Sequence, residues 1–430
     1  MKIHFIGIGG IGVSALAQYY LAKGHDVSGS DLVQSEITDM LGAKGVTVAI
    51  GQKKENITPG IDLVVHSPAV PTQNPELAQA KALGIKTISY PEALGELTKE
   101  YYTIAVSGSH GKSTTTSMIA LVLEQAGLDP TVIVGTKLKE FGDTNFRMGK
   151  SKYLVIEACE YDGSFLNYEP KITVVTNVDK EHLDYFKTFD NVKKTFREFI
   201  EKLPADGFLV ANQDDGNMPQ FGSSTFTIRQ YSTTQPEATY LREHMQIPGM
   251  HNVSNGLAAI EVARILQIPD EVSLKTICEY KGSWRRFEIK ESTVNNKHVT
   301  VVSDYGHHPN EVKATLVAAR EKYKNKAIWC IFQPHQYQRT HYLFEDFVTL
   351  FKQISIDHVI ITDIYDVAGR EKQQINATVN SQKLVEAIGK KHVQYLPMSD
   401  IENFVKQEIK SGEVLIIMGA GDIYKLFDQF

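Results

Sequence analysis

The sequence predicts an α/β protein built from three domains, and three observations lead there. At 430 residues the chain is too long for one core, a length that suits roughly two to four domains. Short apolar runs alternate with helical patterns along the chain, the arrangement of parallel, doubly wound sheets. Two of those runs, Ile3–Ile8 and Ile104–Val106, break into glycine-bearing turns of the phosphate-binding kind. These features place the domains at 1–97, 98–292 and 293–430.

Composition narrows the function classes. The hydrophobic share of 42 % and charged share of 22 % are those of an ordinary globular protein. A net charge of −6 argues against a nucleic-acid-binding surface, while a local basic pocket for phosphates stays open. The three cysteines, Cys159, Cys278 and Cys330, are odd in number and lack metal spacing. They suit a reducing cytosol without structural disulfides, so a cytoplasmic protein is expected. No apolar run approaches the ~20 residues of a membrane span, so no membrane partner is expected. The apolar stretch Lys2–Ile11 carries glycines and no cleavage pattern, which makes it a first strand rather than a signal peptide.

In the first domain, a strand over Ile3–Ile8 runs into Gly7-x-Gly9-Gly10-x-Gly12, then a helix from about Val13 to Lys23 and a strand Val27–Ser30 ending at Asp31. Glycines so spaced allow a tight turn, close approach to a diphosphate and close helix–strand packing, the Rossmann-like pattern. Asp31, 19 residues after Gly12, stands where an acidic group accepts a ribose or base hydrogen bond. Nicotinamide, flavin and nucleotide-sugar binders all satisfy this pattern, and a bare helix-packing turn also wants glycine. A further strand, Asp62–His66, delivers Ser67 to its carboxyl end, the side on which open parallel sheets bind ligands. Pro91 opens a short connecting helix.

The central domain begins with the strand Ile104–Val106, then Gly108-Ser109-His110-Gly111-Lys112-Ser113-Thr114. Strand, glycine loop, lysine and hydroxyls leading a helix form a P-loop-type site for a nucleotide's phosphates, with Ser113 placed to offer oxygen to magnesium. The gap between Gly108 and Gly111 is shorter than the usual four residues, and an ordinary capping turn is the competing assignment. Two more apolar strands end in Glu157 and Glu160 and in Asp179-Lys180-Glu181-His182. Both should reach the sheet edge that bears the phosphate loop. Glu157 would then suit a metal ion bound to a triphosphate, whereas His182 is an unexpected ligand for so hard a cation and is otherwise a packed or surface residue. Asn252 and Asn255 share one helix face, where two amides can read an adenine edge or merely cap the helix. Arg286, after Trp284-Arg285, offers a fork to phosphates, or is solvated charge. A polar, glycine-free hairpin follows over Glu291–His298.

In the third domain, strands Val299–Asp304, Ile328–Phe332, Val359–Thr362 and Val414–Met418 alternate with helices, a doubly wound sheet again. Asp304, His307, His308, His335, Tyr337 and Arg339 crowd the strand ends, where each alone suits a cap or core role and together they suggest a site.

Together, GIGGIG with SGSD, GSHGKSTTT, EACEYDGSF, NVDKEHLD, GMHNVSN, WRRF, DYGHHP, FQPHQYQRT and GAGD resemble the motifs of the Mur ligases. These are ATP-dependent enzymes that add amino acids to the UDP-sugar precursor of peptidoglycan. The resemblance runs nearly end to end, and the short-gap phosphate loop is the form this family uses. It implies a Rossmann-like UDP-sugar domain, a P-loop-type ATP domain and a doubly wound Rossmann-like amino-acid domain. It further implies L-alanine joined to the lactyl carboxylate of UDP-N-acetylmuramate through an acyl phosphate, with ATP and Mg, by a monomer or weak homodimer.

The resemblance also implies roles. Gly108, Ser109, His110, Gly111, Lys112, Ser113 and Thr114 would cradle the ATP phosphates, and Ser113, Glu157 and His182 would serve the metal. Asn252 and Asn255 would bind adenine, and Arg286 and Asp304 would close the ATP site from a domain junction. Gly7, Gly9, Gly10 and Gly12 would hold the UDP diphosphate, with Asp31 and Ser67 near the uridine. Glu160 is placed with the substrate, and His307, His308, His335 and Arg339 with the amino acid, Arg339 on its carboxylate.

Three positions depart from many relatives: Cys159 replaces Asp, Ser303 replaces Asp beside Asp304, and Gln336 replaces Arg. Ligases of later steps carry a carbamylated lysine; none is expected here, and neither Lys193 nor Lys194 is given that role. The nearest rival is the relative that recycles a tripeptide onto the same sugar, although Tyr305 and Gly306 resemble the alanine-adding form. A dehydrogenase fused to an ATPase, and a non-catalytic nucleotide-binding regulator, leave Lys112, Glu157 and His182 without a joint purpose.

Overall fold

A computed structural model describes residues 1–219, 224–366 and 378–430. The described residues form three sheets, each continuous in sequence. The first holds β1 (Lys2–Ile6), β2 (Asp26–Asp31), β3 (Thr47–Ile50), β4 (Leu63–His66) and β5 (Lys86–Ser89) in the order β3-β2-β1-β4-β5. All four pairings are parallel. Strand order reverses at β1, so the crevice beyond β1 and β4 is this sheet's natural ligand site. β1 stops at Ile6, two residues short of the expected end, because Gly7 takes a left-handed φ of 79° and turns the chain.

The second sheet comprises β6 (Tyr102–Ser107), β7 (Thr131–Leu138), β8 (Thr144–Arg147), β9 (Tyr153–Glu157), β10 (Ile172–Val175), β11 (Phe208–Asn212) and β12 (Thr227–Tyr231). Their order is β12-β11-β10-β6-β9-β7-β8. β6 pairs in parallel with β10 on one side and β9 on the other, so all three present their carboxyl ends together. Ile104, Ala105 and Val106 are fully buried, the continuous apolar run that a strand covered on both faces requires.

The third sheet runs β13-β14-β18-β15-β16-β17 through β13 (Glu288–Val294), β14 (Lys297–Asp304), β15 (Ile328–Phe332), β16 (His358–Ile361), β17 (Val393–Tyr395) and β18 (Val414–Met418). The β13–β14 hairpin is antiparallel and the other pairings parallel. The expected hairpin thus extends well beyond 291–298 and supplies an edge strand. Its turn is Asn295-Asn296, with φ of 48° and 62°.

Two compact units divide the chain: Met1–Ala238 with Ser254–Ile277, and Thr239–Val253 with Cys278–Phe430. The first unit contains two sheets, which polar contacts lock together. Gln18 Nε2 donates to Asn145 Oδ1 at 2.9 Å, and Asn145 Nδ2 donates to Ser14 Oγ at 3.0 Å. These groups are buried, so leaving one unpartnered would cost about 1–3 kcal/mol. The helix after β1 is thereby seated on β8. A second tie is the helix Tyr90–Lys99, which starts from a Ser89–Glu92 capping box with Pro91 in its first turn. Among the described residues, no helix is long and apolar enough to cross a membrane.

Candidate active site

The phosphate loop leaves β6 through Gly108 at φ 133° and enters the helix Lys112–Gln125 through Gly111 at φ 82°. A Cβ on Gly108 would overlap Thr176 Oγ1, and one on Gly111 would overlap Asn255 Oδ1. Both positions therefore need glycine for backbone and for space. The end of β10 fixes the loop from below. Asn177 Oδ1 accepts from His110 N at 2.9 Å, and Thr176 Oγ1 donates to His110 O at 2.6 Å. Ser109 Oγ accepts from Asp179 N at 2.8 Å. The helix that follows opens with Lys112, Ser113 and Thr114, the last two buried in its first turn.

Lys112 Nζ donates to Gly108 O at 2.6 Å, Ser109 O at 3.1 Å and Glu160 Oε2 at 2.9 Å. Burial by itself would lower the lysine pKa. The negative charges of Glu160 and Glu157 outweigh it and hold the value above the ordinary one. The ammonium is thus kept charged where an anion's phosphates would arrive.

Glu157, at the end of β9, accepts from Ser113 Oγ at 2.8 Å and from Gly135 N at 2.9 Å. A hydroxyl and a carboxylate side by side are the oxygen ligands magnesium prefers. His182 adopts a left-handed φ of 55°, rare outside glycine, with Nε2 3.7 Å from both Glu160 Oε1 and Glu181 Oε2. Its ring meets Tyr161 edge-on at 4.9 Å. The structure thus brings Lys112, Ser113, Glu157, Glu160 and His182 into one cluster. Nothing in the sequence singles out Gly135, whose importance depends on a partner 22 residues away.

In the first sheet, Gly9 N donates to Asp31 Oδ2 at 2.8 Å and Leu32 N to Asp31 Oδ1 at 2.8 Å. Asp31 therefore braces the glycine loop itself. Ser67 lies across the switch point, its Cβ 3.1 Å from where a Cβ on Gly7 would stand. A Cβ on Gly12 would meet Tyr90 Oη at 2.7 Å, so this glycine serves helix packing. Gly10 closes the turn by donating to Gly7 O at 3.1 Å.

The helix Met250–Ile265 carries Asn252 and Asn255 on one face, as their spacing predicts. Asn252 Nδ2 donates to Pro248 O at 2.7 Å, a helix-entry contact, whereas Asn255 faces the phosphate loop at Gly111.

In the second unit, the strand ends converge as expected. Asp304 accepts from Phe287 N at 2.9 Å, Gly306 N at 2.8 Å and Thr315 Oγ1 at 3.2 Å. Burial pushes its pKa above the usual range, against the Gly306 hydrogen bond and the charge of Arg286. Arg286 stacks over the Tyr305 ring at 4.8 Å. His307 lies 5.7 Å from the His335 ring, and Arg339 Nη1 is 3.1 Å from His335 Nδ1. His335 also stacks on Tyr365, with 9° between the rings. His307, His335 and Arg339 thus form a second cluster. His308 has a different role, because its Nδ1 accepts from Asn310 N at 3.3 Å and caps the helix Pro309–Lys322.

Comparison with known proteins agrees with this layout. Three family models match: the Mur ligase family catalytic domain over residues 2–102, the Mur ligase middle domain over 106–263, and the Mur ligase glutamate ligase domain over 285–421. The UDP-N-acetylmuramate–L-alanine ligase of Alkaliphilus metalliredigens is 41 % identical, covering 98 % of this chain and 95 % of that protein. The enzyme of the same name from Aquifex aeolicus is 41 % identical, covering 100 % and 97 %. Among solved structures, the UDP-N-acetylmuramate-alanine ligase of Thermotoga maritima superposes with a TM-score of 0.82 at 26 % identity, covering 100 % of this chain and 98 % of that one. The murein peptide ligase of Psychrobacter arcticus shares the fold, with a TM-score of 0.73 at 22 % identity over 100 % and 98 % of the two chains. With all three family models matched in order and relatives aligned from end to end, the chain belongs to the Mur ligase family.

Proposed function

We infer that the protein is an ATP-dependent ligase that joins L-alanine to the lactyl carboxylate of UDP-N-acetylmuramate, releasing ADP and phosphate. The observation that carries this is the 41 % identity, over the whole chain, to ligases of that name. The phosphate-loop cluster supplies the chemistry. A tripeptide-recycling activity has weaker support, since the match to a murein peptide ligase is at 22 % identity.

We propose the following division of labour. The first sheet holds the UDP-sugar on the Gly7, Gly9 and Gly10 turn, with Gly12 packing the helix behind it and Ser67 across the crevice. The second sheet holds ATP: Gly108 to Gly111 wrap the phosphates and Lys112 neutralises them. Asn255, and Asn252 on the same helix face, serve the adenine. Residues 1–97, 98–292 and 293–430 bind the sugar nucleotide, ATP and the amino acid in turn. A monomer or weak homodimer in the cytoplasm is the setting, in keeping with the three free cysteines.

A carboxylate is a poor electrophile, so activation must precede amide formation. The lactyl carboxylate attacks the terminal phosphorus of ATP, the bond from that phosphorus to the bridging oxygen of ADP breaks, and an acyl phosphate is left. Two anions must meet for this, and Lys112, kept charged by Glu160, supplies part of the field that permits it. Magnesium held by Ser113 and Glu157, with His182 at the margin, would neutralise the phosphate oxygens. Arg286 adds a fixed positive charge, and Asp304 holds the backbone that presents it. The alanine amine then attacks the acyl carbon and expels phosphate. Arg339, steadied by His335, binds the amino-acid carboxylate, and His307 takes the amine proton. His308 is better assigned to holding the helix behind it.

The test is phosphate release from ATP with UDP-N-acetylmuramate and each of L-alanine, glycine, L-serine and the murein tripeptide. Release should depend on the sugar nucleotide and be fastest with L-alanine. Preference for the tripeptide would transfer the protein to the recycling branch.

A further inference from the structure

Of the two adjacent arginines, only Arg286 has a place in the reaction proposed above, yet Arg285 is the more deeply buried, at 6 % exposure. Arg285 Nη2 donates to Gly419 O at 2.5 Å and Gly421 O at 3.0 Å, at the turn beyond β18. Its guanidinium lies 4.4 Å from the centre of the Tyr424 ring, 4.8 Å from Tyr305 and 5.5 Å from Trp284. Its backbone is engaged as well. Tyr305 N donates to Arg285 O at 2.7 Å, and Arg285 N donates to Glu288 Oε2 at 3.1 Å. One residue therefore joins the segment before β13 to the turns after β14 and β18.

The backbone between these anchors is strained. Arg285 and Phe287 take left-handed φ values of 57° and 51° on either side of Arg286. Such conformations persist in non-glycine residues only where surrounding contacts over-determine them. Phe287 N is held by Asp304 Oδ2 at 2.9 Å, and Arg285 is held by the contacts above. Arg286, clamped on both flanks, has its direction set by its neighbours. One guanidinium nitrogen meets both carbonyls while the planar group lies against the aromatic rings, and a lysine ammonium has no plane to stack there.

Resting on the ligase function proposed above, we propose that Arg285 is a positioning residue for acyl-phosphate formation, acting by fixing the backbone that presents Arg286. The test is a double-mutant cycle on phosphate release by the full-length protein, with Arg285→Lys, Arg286→Lys and the pair. Arg285→Lys should lower kcat about tenfold while the KM for L-alanine and for the sugar nucleotide moves less than about twofold. In the Arg286→Lys background the same change should cost less than about twofold, because the residue it serves is gone. Tyr424→Leu, which removes the ring under the guanidinium, repeats the cycle if Arg285→Lys fails to fold. Losses that multiply independently would overturn the proposal, as would a rise in the KM for alanine with kcat intact. A wild-type protein that releases no phosphate with its three substrates would take down the ligase reading, and this proposal with it. Activity with a multiplicative cycle would remove the positioning role alone.

Discussion

Lys112 Nζ and Glu160 Oε2 meet at 2.9 Å, with the carboxylate 1 % exposed and the lysine folded back onto the carbonyls of its own loop. In the proposed reaction, the pair places a counter-ion where a phosphate must compete. Replacing Lys112 by Ala therefore has two consequences. Phosphate release should fall by about a thousandfold or more, the scale of losing a fixed charge at a phosphoryl-transfer site. The fold should also lose about 3 kcal/mol, because Glu160 is left buried without its partner. Calorimetric titration with UDP-N-acetylmuramate should show binding retained in the folded variant. Equal loss of sugar-nucleotide binding would contradict the assignment of the two ligands to different sheets.

Glu160→Gln probes the same pair from the other side. The amide still accepts a hydrogen bond from Lys112 but no longer competes electrostatically with phosphate. ATP should bind several-fold more tightly to this variant, measured by titration with a non-hydrolysable analogue. Weaker binding would show that Glu160 orients the lysine for phosphate instead of holding it in reserve.

Much of this arrangement is legible in the sequence. Gly108, Gly111 and Lys112 declare themselves because strand, turn and helix are local events, and glycine adopts a positive φ at little cost. The grouping of Glu157 and Glu160 with the loop follows from parallel strands sharing one carboxyl edge. Asp31, His308 and Arg285 are not legible in the same way. Each is polar and close to a motif, yet its partner is a backbone group whose position depends on the packed fold: Gly9 N, Asn310 N, and the carbonyls of Gly419 and Gly421. Residue type announces what a side chain can bind, while the fold decides which partner claims it.

The β13–β14 hairpin offers a stability test away from the chemistry. Its turn places Asn295 and Asn296 at φ of 48° and 62°, the conformation of a two-residue type I′ turn. Asn tolerates this region, and glycine at the second position tolerates it better. Asn296→Gly should raise the unfolding free energy by about 0.5 kcal/mol, visible as a higher midpoint in urea. A drop would mean that the Asn296 side chain makes a contact worth more than the relieved strain.

His251 gives the second unit a pH dependence of known sign. Burial lowers its pKa to about 4, against the opposing charge of Glu311. The native imidazole stays neutral where the unfolded one, with a pKa near 6.5, takes up a proton. Its contribution is therefore complete above pH 6.5 and is lost as the pH falls from there towards 4, by no more than about 3 kcal/mol. His251→Gln should flatten that part of the stability profile relative to wild type, measured by urea unfolding at several pH values. An unchanged slope would assign the acid sensitivity to other groups.

Gly135 links β7 to the proposed metal-binding end of the site. Its N–H donates to Glu157 Oε2 at 2.9 Å, and a Cβ added there would stand 2.6 Å from the same oxygen and 3.0 Å from the carboxylate carbon. Glu157 cannot give way cheaply, because that oxygen also accepts from Ser113 Oγ. Gly135→Ala must therefore push the carboxylate out of line with the Ser113 hydroxyl, disturbing both proposed oxygen ligands at once. Because the shift is confined to these ligands, its signature should be specific. The magnesium concentration for half-maximal rate should rise about tenfold, as expected when the support of a metal ligand is lost. UDP-N-acetylmuramate affinity should stay unchanged, since the glycine turn proposed to hold it lies on the other sheet. If Gly135→Ala instead lowers activity equally at all magnesium concentrations, Glu157 serves the phosphate loop rather than the ion.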